Sequence, residues 1–225
     1  MEAVLTFKGV VKRFREREVL RSVDLILQKG GFTVVYGEVG VGKSTLINLA
    51  HFQEFPDEGE VVVLGVHHEE ARKNAATLQN VRRKVGVIKQ VPVHLEDMTC
   101  YDNIYYVLEH LGYNRNVAKE RAERALERVG LMDRRDAYPP ELSAGQRQKL
   151  AIARAIAKEP VILLADDPTL GLDDRSSYEI EHLFMEINDS GTSILWTSNR
   201  IPTVIKDRED VEIYQLREGK LHRIK

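Results

Sequence analysis

The stretch Gly37-Glu38-Val39-Gly40-Val41-Gly42-Lys43-Ser44-Thr45 satisfies the pattern G-x-x-x-x-G-K-[ST]. It constrains the chain more than any other segment, because it works only on a particular scaffold. An apolar, β-rich run at 32–36 precedes it, and the helical pattern Leu46-Ile47-Asn48-Leu49-Ala50 follows. Strand, glycine-rich turn and helix in that order make an anion cradle. Glycines let backbone N–H groups turn inward, and the helix aims the positive end of its dipole at the same place. In this pattern Lys43 reaches the β/γ-phosphates of a nucleotide and the Ser44 hydroxyl ligates Mg²⁺. ATP with Mg²⁺ is therefore the expected ligand pair.

The rest of the chain supplies the scaffold. Its 225 residues are enough to bury a sizeable core and read as one domain, 1–225. Short β-rich runs lie at 4–7, 23–27, 32–36 and 60–64. Apolar residues at helical spacing follow at 101–111 and 117–129, then a break at Tyr138-Pro139-Pro140, then a helix over about 144–158. Beyond Pro160, strands at 161–165, 193–197 and 211–216 alternate with a helix at 176–188 and a short helix near 202–206. Such alternation predicts an α/β fold with a mostly parallel core sheet. The early strands predict an N-terminal antiparallel β portion, and the middle predicts an inserted helical subdomain at about 91–160.

Charge and composition exclude several functions. At a net charge of −2 no global field draws the chain to nucleic acid or anionic lipid. Cys100 is the single cysteine, so no intrachain disulfide forms and a reducing compartment fits. The opening MEAVLTFKGV lacks the basic-then-apolar order of a secretory signal. No apolar run approaches the ~20 residues that cross a bilayer, so no direct membrane insertion is expected. Work at a membrane would need another chain to hold the protein there.

Residues 161–167 read VILLADD: an apolar strand that stops on two carboxylates. A phosphate loop needs an acid on a neighbouring strand for its Mg²⁺, and Asp166 has that position. Asp167, one residue further, is placed to face the γ-phosphate and an attacking water, as general base or water-positioner. The two acids are thus expected to differ in role.

Leu142-Ser143-Ala144-Gly145-Gln146 resembles the LSGGQ signature of ATP-binding cassette (ABC) ATPases, and it lies between phosphate loop and carboxylate strand as in that family. Ser143 with Gln146 three residues on forms a capping box, which leaves a helix N-terminus able to meet an anion. The resemblance spans the whole chain and implies a P-loop NTPase fold. It implies that Ser143, Ala144, Gly145 and Gln146 close on the nucleotide of a second copy in an ATP-bound head-to-tail homodimer. It also implies that Gln90, ending the strand VGVIKQ, contacts Mg²⁺ and water and couples to a membrane partner, that Phe14 stacks on adenine, and that Gly171-Leu172-Asp173 crosses the dimer interface. A core role for Phe14 stays open beside that one. The segments MTCYDNI, LADDPTLGLDD, FMEIN and LREGKLHRI resemble the cell-division (FtsE) branch, while lipoprotein-releasing and MacB-type exporters remain alternatives. The branch implies an FtsX-like integral membrane partner, septation through control of peptidoglycan hydrolysis, and a cytoplasmic, peripheral location on the inner face of the membrane. Residues 91–103 would form part of the docking surface.

Three positions depart from the family pattern. Asp167 stands where the catalytic acid is usually Glu. Asn199, in Trp196-Thr197-Ser198-Asn199, stands where the family has its switch histidine; Asn can donate a hydrogen bond to the γ-phosphate but cannot carry a proton. Ala144 replaces the first glycine of the signature pair. Tight Mg-ATP binding with slow hydrolysis is the expectation from these changes; the alternative is ordinary hydrolysis, with Asp167 reaching the water through an altered backbone or a second bridging water. A nucleotide-dependent scaffold or switch with little turnover is the competing reading.

Overall fold

A computed structural model describes residues 2–206 and 208–225. Two sheets, with helices on both faces of the larger one, account for it. Strands β1 (Ala3–Phe14), β2 (Arg17–Gln28), β4 (Glu58–Val63) and β5 (Val66–His67) form an antiparallel sheet in the order β2-β1-β4-β5. The core sheet has the order β10-β9-β3-β8-β7-β6, from β3 (Phe32–Tyr36), β6 (Val85–Ile88), β7 (Ile162–Asp166), β8 (Ser193–Ser198), β9 (Val211–Arg217) and β10 (Lys220–Arg223). Its first five strands in space after β10 run parallel, and β10 alone is antiparallel, at the edge.

The central strands are almost wholly buried and mostly apolar because both faces are covered. Alternate residues still choose opposite sides. Leu163, Ala165, Ile194 and Trp196 join Phe32 and Val34 in a core beneath α4 (Cys100–His110), α5 (Arg115–Arg128), α6 (Ala144–Ile156) and α7 (Asp174–Asp189). Trp196 fills its centre, with Phe184 at 4.5 Å between ring centroids. Ile162, Leu164, Leu195 and Val35 face the other way, into a second core. That core is shared with the antiparallel sheet, with α1 (Lys43–Ala50) and with Val81 of α3 (Ala75–Lys84).

The helices at 68–73 and 75–84 and the edge strand at 220–223 were not read from the sequence, and two expectations differ from the structure. The expected helix near 202–206 is a turn with one helical bond, Lys206 N–H donating to the Pro202 carbonyl. Five residues cannot offset the cost of nucleating a longer helix. The strand at 85 ends on Ile88, so Gln90 lies beyond it on an exposed bend. β6 is the edge of its sheet and pairs only with β7, through Ile88 opposite Ala165.

Candidate nucleotide site

β3, β6, β7 and β8 all end on the same edge of the sheet, their carboxyl edge, which is where open parallel sheets place their ligands. The phosphate loop leaves β3 there. Gly40 and Gly42 take positive φ, 78° and 114°, which a side chain would resist. A Cβ at Gly37 would stand 2.5 Å from the Leu216 carbonyl oxygen, so only glycine lets the loop pass β9. α1 then starts on Gly42 with no side-chain cap. The other α-helices start on side-chain acceptors: His67, which opens α2 (His68–Lys73), then Asn74, Thr99, Asn114, Ser143 and Asp173. The first amides of α1 therefore keep their donors for an anion.

Lys43 is 7% exposed. Its Nζ donates to the carbonyls of Gly37 (2.7 Å) and Glu38 (2.8 Å) and to Oδ1 of Asn199 (2.8 Å). An ammonium has only donors, so the carbonyl end of Asn199 must face it, leaving the amide NH₂ free. Burial pushes the Lys43 pKa down, and the nearby charges of Asp167 and Asp166 pull it partly back. Asn199 thus has a second role besides the expected one: it receives the loop lysine.

The two carboxylates have different surroundings. Asp166 ends β7, paired with Thr197 of β8, whose hydroxyl donates to Asp166 Oδ1 at 2.8 Å. Asp167 is 6% exposed and turns into the left-handed region at φ 44°. Its N–H donates to the Thr197 carbonyl at 2.7 Å, and its own carbonyl accepts from Leu170 N–H at 3.1 Å. Asp is among the residues that tolerate this conformation best. Burial pushes the Asp167 carboxyl up, against the opposing pull of Lys43; Asp166 adds to the rise. A buried carboxyl with a raised pKa is a better proton acceptor than an ordinary aspartate.

Around these groups lies a cavity of about 430 Å³ lined by Val39, Gly40, Gly42, Lys43, Ser44 and Thr45 from the loop, with Gln90, Asp166, Asp167 and Asn199 opposite. Phe14 also lines it and is 44% exposed, so it is a rim residue and not part of either core. The Ser44 hydroxyl, Asp166 and Gln90 present hard oxygen donors and no thiolate or imidazole, a set that fits Mg²⁺. Among the described residues no cluster of three or more His, Cys, Asp or Glu forms a metal cage. That suits an ion completed by phosphate and water.

The remaining predicted residues lie apart from this cavity. Gly37, Glu38 and Val41 do not line it, although the Gly37 and Glu38 carbonyls hold Lys43. Ser143, Ala144, Gly145 and Gln146 lie outside the cavity, at the start of α6, with Ser143 and Ala144 exposed and Gly145 buried. The capping box is present there: Gln146 N–H donates to Ser143 Oγ at 3.2 Å, and Ser143 N–H donates to Gln146 Oε1 at 2.9 Å. Ala144 is the first residue of α6 and keeps a negative φ, so the missing glycine costs nothing here. Gly145 is needed: a Cβ would meet Ser176 Oγ at 2.7 Å. Asp173 caps α7, accepting from Ser176 N–H at 2.8 Å. Three residues escaped the sequence reading as site residues. Thr197 was hidden because its partners come from another strand; Val19 and Leu170, the latter 46% exposed, line the cavity with apolar side chains that carry no chemistry of their own.

The ABC transporter family model matches residues 20–170. The chain is 34% identical over 200 residues to the lipoprotein-releasing system ATP-binding protein LolD of Aquifex aeolicus, covering 88% of each. It is 37% identical over 198 residues to the cell division ATP-binding protein FtsE of Streptococcus pneumoniae, covering 88% of this chain and 85% of the relative. A methionine import ATP-binding protein MetN from Carboxydothermus hydrogenoformans is 40% identical, but the chain spans only 58% of it. A solved ATP-binding cassette, dimeric in a post-hydrolysis state with ADP and Pi, superposes with a TM-score of 0.84 at 28% identity over 97% of each chain. The chain belongs to the ABC transporter family and is one of its ATPases.

Proposed function

We propose that this protein is a single-domain ABC subunit that closes as a head-to-tail dimer around Mg-ATP and moves an FtsX-type membrane partner in cell division. The observation that carries the nucleotide reading is the cavity itself. It combines uncapped helix amides, a buried lysine and two unlike carboxylates. Lys43 exchanges its loop carbonyls and Asn199 for phosphate oxygens. Ser44, Asp166 and Gln90 hold the ion, which when bound neutralises charge on the phosphates. Asp167 orients a water and accepts its proton. Phe14 offers an aromatic face to the base. The Ser143 corner, remote from its own cavity, fits the role of covering a partner copy's nucleotide; the dimeric cassette among the structural relatives supports that assembly.

The cell-division role rests on the FtsE-like segments and on the 37% relative; the LolD and MetN identities lie close to it. Partner docking is supported by a groove of about 290 Å³ beside the 91–103 segment. Val91 and Val93 stand 73% and 77% exposed on it. Its charged lining is cationic, from Lys89, Arg154 and Lys158, with no carboxylate. We assign it to a partner helix that brings apolar side chains and an acid. No helix among the described residues is long and apolar enough to span a bilayer, so this partner also tethers the chain. Co-purification from membranes decides the branch. A four-helix FtsX-type protein that raises ATP turnover supports the proposal, and an exporter subunit in its place overturns it. Asp167 and Asn199 favour one second reading, a nucleotide-held scaffold. Turnover that stays flat on adding the reconstituted partner would select it.

A further inference from the structure

β8 contributes two groups to the site from a single residue. Thr197 is fully buried. Its hydroxyl donates to Asp166 Oδ1 at 2.8 Å, while its carbonyl accepts the Asp167 N–H at 2.7 Å. The carbonyl bond anchors the backbone where Asp167 enters its left-handed turn. The hydroxyl has one proton and two acceptors in reach; the Ala165 carbonyl, at 3.4 Å, is the poorer. Among the described residues Thr197 gives the one side-chain hydrogen bond to Asp166.

We propose that Thr197 is a positioning residue for the metal carboxylate: its hydroxyl fixes Asp166 through Oδ1 so that Oδ2 is presented to the Mg²⁺ of a bound nucleotide. A carboxylate at a strand end, half-buried and unsupported, rotates about χ1 and χ2, and an ion that demands near-octahedral geometry loses most from that freedom. Removing an outer hydrogen-bond partner of a metal ligand costs about ten- to a hundredfold in metal affinity or activity. Thr197 does not touch the ion. Its effect must therefore show in the Mg²⁺ dependence and spare the binding of metal-free nucleotide.

This inference rests on the cavity being a Mg–nucleotide site, and the experiment separates the two claims. ADP affinity is measured by calorimetry in EDTA and in Mg²⁺ for the wild type, Thr197→Val and Thr197→Ser, along with the Mg²⁺ concentration that half-saturates hydrolysis. Both substitutions leave the backbone carbonyl that holds Asp167. Thr197→Val is expected to bind ADP normally in EDTA, to lose about ten- to a hundredfold of the tightening given by Mg²⁺, and to need correspondingly more Mg²⁺ for turnover. Thr197→Ser is expected to stay within about threefold of the wild type. A valine variant with unchanged Mg²⁺ dependence overturns the assignment. So does a serine variant as impaired as valine, or a valine variant equally weakened in EDTA, because packing would then be the cause. A wild type that binds no ADP at all would instead remove the nucleotide reading.

Discussion

At the scale of single residues the site is decided by how two adjacent aspartates are held. Asp166 is half-buried with a hydroxyl on one oxygen; Asp167 is buried, twisted to φ 44° and drawn towards Lys43. A general base must be ionised to work, and burial places the Asp167 pKa above the ordinary 3.8. As pH falls through that raised value the carboxylate takes a proton and the base is lost. Hydrolysis should therefore show an acid limb at higher pH than a free aspartate gives. Asp167→Asn should lack the limb, bind ATP normally and turn over about 10²–10⁴-fold more slowly in a single-turnover assay. An asparagine variant as fast as the wild type would end the base role. The loop, both acids, Ser143 and Gln146 were legible in the sequence because each motif is local and its spacing carries the chemistry. Thr197 was not, because nothing within a few residues of it marks a bond to the neighbouring strand.

Secondary elements were legible to the extent that one face or both faces of them are apolar. β7 and β8, covered on both sides, stood out to within a residue. Of β1 and β2, twelve residues each, only 4–7 at the start of one and 23–27 at the end of the other did. The unread parts carry Lys and Arg, and register shifts along the pair break the alternation that marks a strand. The segment between β6 and α4 was expected as a docking surface, but its anchor had no local mark. Asn103, fully buried in α4, donates through Nδ2 to the Leu95 carbonyl (2.9 Å) and the Met98 carbonyl (3.0 Å) and accepts from Leu95 N–H (2.9 Å). Asn103→Leu strips those partners and leaves buried backbone groups unpaired, at a cost of about 2–4 kcal/mol. The lost bonds all lie in the segment proposed for docking. Urea unfolding should show the loss of stability, while basal ATP turnover falls less than the stimulation by the membrane partner. Equal loss of both would mean that the segment supports the nucleotide site directly.

For the molecule as a whole, two histidines beside the groove proposed for docking link stability to pH. His51 and His94 are each pushed down to about 4, chiefly by burial, with Arg82, Lys158 and Lys89 facing His51 and Arg154 and Arg147 facing His94. Between pH 6.5 and 4 the unfolded chain takes up protons that the folded one refuses, so stability present above 6.5 is lost on acidification through that window. The pair together should cost on the order of 1–3 kcal/mol after solvent screening. His94→Gln should retain part of the urea midpoint that the wild type loses between pH 7.5 and 5; an identical drop would place the effect elsewhere. The assembly makes a larger claim. Each chain's cavity holds Lys43 and Asp167, and its Ser143 corner lies apart; in the head-to-tail dimer proposed above, each site would be built from two copies. Lys43→Ala should disable a chain's own cavity, and Ser143→Arg should disable the site of its partner by filling the corner with a long cation. Each variant alone should hydrolyse ATP at a small fraction of the wild-type rate. Mixed in equal amounts they form a heterodimer with one damaged site and one intact site, whose Lys43 comes from the Ser143→Arg copy and whose Ser143 comes from the Lys43→Ala copy. Activity in the mixture should exceed that of either variant alone and rise with protein concentration. If the mixture only averages the two inactive parents, the site is complete within one chain and the head-to-tail arrangement is wrong.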